Sequence, residues 1–208
     1  MDETQRQVKY AAQTEELYAG LGAFVAAFEQ VIHTMRNVLV MALSHDYQSQ
    51  QLIRPAYAEL TASPLTSTFQ ATLARMIEFS ELDDSEKETG KRILASVCNQ
   101  IRAMTETRNE IVHGTWFIGW ASETQDDFSI ASGFKEKNTK EGAAHTDIGR
   151  TRADFDFLVD RCHELLDLAN RIRGVLLLNR PFSTNFIWNG KLASLSTSQW
   201  TFKRRITN

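Results

Sequence analysis

From Thr14 to His45, apolar residues return at every third or fourth position: Leu17, Leu21, Phe24, Phe28, Val31, Met35, Val38 and Ala42. A helix turns once in about 3.6 residues, so this spacing lines the side chains into one stripe along a long helix. Gly20 and Gly22 weaken its first turns and predict a helix that starts late or irregularly there. The mixed stretch Asp46 to Ala62, interrupted by Pro55, reads as a connector holding a short helical turn. Ser63 followed by Pro64 predicts the next helix start, with serine at the cap and proline in the first helical position. Phe69, Leu73, Met76 and Ile77 then share a face until about Phe79. Asp84 or Ser85 can cap a third helix, and Glu86 and Glu88 suit its positive end. Its stripe is Leu94, Val97, Ile101, Met104, Ile111 and Val112, reaching roughly Gly114.

Beyond Gly114 the period changes. Thr115 to Trp120 and Phe128 to Ile130 are aromatic and β-branched, which predicts a small β-hairpin at about 115–135 turning near Glu123 to Asp127. Lys135 to Arg150, with interleaved lysines, glutamates and glycines, reads as an exposed loop. Thr151 and Asp154 open a fourth helix striped by Phe155, Leu158, Cys162, Leu165, Ala169, Ile172 and Leu176, and Arg180-Pro181 stops it. Phe182 to Asn208 reads as an irregular tail. Four helices with one apolar stripe each can bury those stripes only against one another. The expected fold is all-α: an antiparallel four-helix bundle over 1–181 with a hairpin insertion, followed by a C-terminal extension over 182–208.

Charge and cysteine content narrow the functional classes. A formal net charge of −3 supplies no whole-molecule attraction for nucleic acid, so any RNA contact rests on a local basic patch. Cys98 and Cys162 lie on apolar stripes and read as buried thiols rather than a disulfide framework. The polar, acidic N-terminus is unlike a secretory signal, and Val175 to Leu178 is too short to span a bilayer. A cytoplasmic protein without a cofactor is expected, since neither a Gly-rich phosphate loop nor a Cys-rich metal pattern is present.

One position breaks the pattern. The third stripe runs Leu94, Val97, Ile101, Met104, and its next member is Arg108, before Ile111 and Thr115 continue it. An arginine in register with buried residues is costly unless it is paired or opens onto a cleft or interface. Beside it runs a polar stripe of Arg102, Thr105, Glu106, Asn109 and His113. By ideal helix geometry Arg108 and His113 lie about 140° apart around the axis and roughly 7.5 Å apart along it. They converge only if the helix loosens at His113-Gly114 or if two copies of the helix meet.

Arg108-Asn109-Glu110-Ile111-Val112-His113, at the end of the third of four expected helices, resembles the Arg-Asn-x-x-x-His signature of HEPN domains. Four residues separate Arg108 from His113, the shortest spacing in the family pattern. The resemblance implies a metal-independent endoribonuclease acting as a homodimer, with both motifs facing a shared cleft. It further implies RNA as substrate, a 2′,3′-cyclic phosphate product, and a toxin or phage-defence role in which a cognate antitoxin or defence-system protein is a partner. Arg108 and His113 match the family's catalytic pair, and Asn109 its polar neighbour. The residue types suit that chemistry, because histidine exchanges protons near neutral pH and a guanidinium holds phosphate in bidentate fashion.

Other features stay open. Glu110 and Thr105 flank the pair, and Glu29, His33 and Arg36 on the first helix either border the Arg108 cleft or form a solvated face. Arg102 and the terminal Lys203-Arg204-Arg205, near Trp200 and Phe202, are weaker candidates for RNA contact, the latter equally an unstructured tail. Asp160, His163, Glu164 and Asp167 lack the paired Glu-x-x-His arrangement of a bundle metal site and read as a charged surface. Trp116, Phe117 and Trp120 read as hairpin core. The alternative function is a non-catalytic module binding a nucleotide, RNA or a partner protein through the same cleft.

Overall fold

The computed structural model of the protein describes residues 1–120, 126–139, 142–190 and 193–195. They are mostly helical, with a small antiparallel sheet. The helices are α1 (Glu3–Leu43), α2 (Tyr47–Ala58), α3 (Ala62–Phe79), α4 (Asp84–Val112), α5 (Arg152–Leu177) and the short α6 (Phe182–Asn185). Strands β1 (Thr115–Phe117), β2 (Ile130–Thr139) and β3 (Gly142–Thr151) follow α4, and β4 (Phe186–Trp188) pairs with β5 (Ala193–Leu195) after α6. The chain divides into two compact units, the first built from Met1–Thr34 and Ile101–Leu166, the second from Met35–Gln100 and Asp167–Asn208. Among the described residues no helix is long and apolar enough to cross a membrane.

In the first unit, Leu17, Phe24, Phe28, Val31, Ile101, Met104, Ile111, Phe155, Cys162 and Leu165 are buried, as their stripes require. Helix α1 does not start late. It runs unbroken from Glu3, and Gly20 serves packing, since a Cβ there would sit 3.1 Å from both Arg152 Cδ and Phe155 Cβ. The early turns of α1 also hold Gly119, Asp127 and Phe128, which lie between β1 and β2. Tyr10 donates to the Gly119 carbonyl, Gln13 bonds both Asp127 and the Phe128 amide, and Tyr10 meets the Phe128 ring edge-on at 4.9 Å.

The sheet corrects two expectations. It has three strands, in the order β1-β2-β3, and β2 pairs with β1 through Thr115 opposite Phe134 and Phe117 opposite Ser132. In the stretch Lys135 to Arg150, expected as a loop, residues 135–139 and 142–150 instead belong to β2 and β3, which pair with Ala131 opposite Arg150 and Gly133 opposite Ile148. Its polar alternation hid the strands, because the far part of the hairpin carries charge and glycine instead of a period-two apolar face. On the inner face Ala131 and Ile148 are buried, and Trp116 approaches Phe155 of α5 at 6.3 Å. The Thr151 amide donates to Asp154 while the Asp154 amide donates to the Thr151 hydroxyl, the reciprocal cap expected for α5.

In the second unit, Leu65, Phe69, Leu73 and Ile77 of α3 are buried, as are Leu94, Val97 and Cys98 of α4. The α3 cap falls on Thr61 rather than Ser63, and Asp83, not Asp84 or Ser85, accepts the Glu86 amide ahead of α4. The presumed connector holds α2, a 12-residue helix with Pro55 inside it and no buried residue, which is why its stripe went unseen. The described part of the tail is not irregular. Phe182, Phe186 and Ala193 are buried there, and the Ala193 amide donates to the Ser96 hydroxyl at 3.1 Å.

Candidate functional site

The motif closes α4 inside the first unit, between α1 on one side and β3 on another. Arg108 keeps its core register but is not enclosed: 25% of its side chain stays exposed. Its Nη2 donates to Glu29 Oε1 at 3.2 Å and its Nη1 to Asn109 Oδ1 at 3.3 Å. The guanidinium carbon stands 5.8 Å from the Phe28 ring centroid, within cation–π range. Its Nε is buried and has no hydrogen-bond acceptor among the described residues. Glu29 is 51% exposed, so the ion pair contributes at most about 1 kcal/mol. Arg108 is thus held in place with little stabilisation in return.

His113 lies one residue past the helix, yet its amide still donates to the Asn109 carbonyl at 3.1 Å, which prolongs the helical turn through it. Its imidazole is exposed and has no hydrogen-bond partner among the described residues. The chain then leaves α4 by a tight route. A Cβ on Gly114 would come 2.8 Å from the Glu110 carbonyl oxygen and 3.4 Å from Ile148 Cδ1, so the strand closely abuts the helix end. Trp116 fixes this junction by donating its indole N–H to the Ile111 carbonyl at 2.6 Å, satisfying one terminal acceptor of the helix.

The structure treats the remaining candidates unequally. Glu29 meets Arg108, and Glu110 forms an ion pair with Arg150 of β3 at 3.6 Å. Thr105 is buried and spends its hydroxyl on the Ile101 carbonyl of its own helix. Arg36 caps the end of α2, donating to the carbonyls of Tyr57 at 3.2 Å and Leu60 at 2.9 Å. His33 is exposed and Arg102 half-buried. Lys203, Arg204 and Arg205 lie outside the described residues. Arg150 had no sequence signal as a site residue, because its stretch lacks apolar alternation. Cys162 is no candidate nucleophile, since burial pushes its thiol up to about 11. Trp120 is 74% exposed rather than core, with its ring edge on Phe117 at 4.9 Å.

An exposed imidazole, two partly open guanidinium groups and a carboxylate at one helix end can exchange a proton and hold an anion. Neither family models, nor curated proteins, nor solved structures match the chain.

Proposed function

We propose that the protein is a HEPN-type endoribonuclease that cleaves RNA without a metal ion and acts as a homodimer in a cytoplasmic toxin or phage-defence system. In this reading α1, α3, α4 and α5 are the four bundle helices, and α2 and the β1–β3 sheet are insertions. The observation that carries it is Arg108: a guanidinium kept at a core-register position, partly open to solvent, five residues before an exposed histidine. An apolar residue at that register would cost less, so the charge is retained for what it binds.

The reaction proceeds by proton transfer and charge stabilisation. The RNA 2′-hydroxyl loses its proton to a base as its oxygen forms a bond to phosphorus. The bond from phosphorus to the 5′-oxygen breaks, and that oxygen takes a proton from an acid. The products are a 2′,3′-cyclic phosphate and a 5′-hydroxyl. His113 serves as the proton-transfer group and a guanidinium stabilises the charge on the phosphoryl oxygens. Arg108 and His113 face different sides of α4, so pairing them calls for a second copy that brings its own motif to the same cleft.

The Arg108–Glu29 pair favours a second reading, a non-catalytic module in which the motif binds a nucleotide, RNA or a partner protein such as a cognate antitoxin. Cleavage of single-stranded RNA in EDTA separates the two. Wild-type protein is expected to cleave, while Arg108→Ala and His113→Ala each lose at least about 100-fold in rate and remain folded by circular dichroism. Equal rates for wild type and His113→Ala point to a contaminating nuclease and leave the module reading.

A further inference from the structure

We propose that Arg150, carried in by the sheet, is the guanidinium that holds substrate phosphate beside His113 within one chain. The inference rests on the ribonuclease reading above and names a residue outside the Arg-Asn-x-x-x-His motif.

On α4, Glu110 and His113 are three residues apart and only about 60° apart around the axis, whereas Arg108 lies about 140° from His113. The helical hydrogen bond from the His113 amide to Asn109 keeps this geometry valid through the histidine. Arg108 accordingly faces α1, where Glu29 and Phe28 receive it, and Glu110 faces β3, where Arg150 meets it at 3.6 Å. The guanidinium on the histidine's side of the helix is therefore Arg150.

The strand is anchored to put it there. Ile148, on the same inner face as Arg150 and two residues before it, lies against Gly114, directly after the histidine. The Trp116 indole locks β1, on the far side of β2 in the same sheet, to the last turn of α4. Arg150 itself is loosely engaged. Its Nη1 donates to the neighbouring Gly149 carbonyl at 3.1 Å, its Nη2 stands beyond hydrogen-bond range of Glu110, and its side chain is 31% exposed. Arg108, by contrast, is committed through both terminal nitrogens to Glu29 and Asn109. A phosphate arriving at His113 can draw Arg150 from a weak ion pair into bidentate contact, which a guanidinium fork favours. Glu110 then acts as the tether that keeps Arg150 in reach while the site is empty.

The test compares cleavage of a short single-stranded RNA in EDTA by wild-type, Arg150→Ala, Arg150→Lys, Glu110→Gln and His113→Ala proteins, together with the melting curve of each. Arg150→Ala is expected to cleave about 100-fold more slowly while melting with wild type. The slope of log KM against log salt should fall by about one, the signature of one lost phosphate contact. Arg150→Lys should recover only part of the rate, because an ammonium is a point charge without the fork. Glu110→Gln removes the tether but leaves the guanidinium, so it should lose part of the rate but clearly less than Arg150→Ala. Wild-type cleavage by Arg150→Ala would overturn the assignment, as would an equal loss in Glu110→Gln, which would make the pair a mere strut for β3. If wild type cleaves and His113→Ala does not, a fully active Arg150→Ala sinks this inference alone. If wild-type protein leaves the RNA intact, the ribonuclease reading falls and takes Arg150 with it.

Discussion

Arg108 puts a charge where helix periodicity calls for an apolar side chain, and its surroundings return little stability for it. The ion pair with Glu29 is half open to water, the contact over Phe28 is 5.8 Å from the ring centroid, and Nε is buried without an acceptor. An unmet buried N–H costs roughly 1–3 kcal/mol, which is at least what an exposed ion pair gives back. Arg108→Met, unbranched and of similar length, should therefore unfold in urea within about 1 kcal/mol of wild type, or be more stable, while losing RNA cleavage. A loss near 3 kcal/mol would make Arg108 a structural residue. This position was legible in the sequence because a single stripe, Leu94 to Ile111, exposes its one misfit. Arg150 was not, since β3 brings it to Glu110 through strand pairing across the β2–β3 hairpin, and no local spacing encodes that approach.

At the scale of elements, the long helices were readable wherever one stripe met one core. Leu17, Phe24, Phe28, Val31, Met35 and Val38 on α1 and Phe155, Cys162, Leu165, Ala169 and Ile172 on α5 are buried at the expected spacing, whereas Leu21, Leu158 and Leu176 are only half-buried. What escaped was set by tertiary contact. Glycine inside these helices is tolerated at some positions and needed at others, and the space around it decides which. Gly174 of α5 has nothing within 4 Å of a built Cβ, so Gly174→Ala should stabilise by about 0.5–1 kcal/mol through helix propensity alone. Gly90 of α4 faces the fully buried ring of Phe182, with Cε2 2.6 Å from a built Cβ. Gly90→Ala should cost about 1–3 kcal/mol despite the same propensity gain, because Phe182 must move. Thermal melting of the two variants checks the contrast, and a common direction of change would contradict it. The same ring anchors the described residues that follow α5: Phe182 and Phe186 stack at 5.9 Å in a buried site. The charged β2–β3 hairpin and the unburied α2 had no apolar period to read, and only their backbone pairing and capping reveal them.

For the whole molecule, a chain of net charge −3 that acts on RNA must do so through a few well-placed cations. Arg108 and Arg150, on two sides of the α4 terminus, fit that requirement, and in the proposed reaction His113, between their faces, is the proton-transfer group. A mostly helical fold was evident from stripes alone, but the proposed chemistry rests on a six-residue motif and on how α1 and β3 approach it. The most direct measurement is the identity of the ends formed when pure protein meets single-stranded RNA in EDTA, read by mass spectrometry. The account predicts 2′,3′-cyclic phosphate and 5′-hydroxyl ends that vanish with His113→Ala. RNA left intact at high protein concentration, or 3′-hydroxyl ends that appear only when magnesium is added, would contradict it.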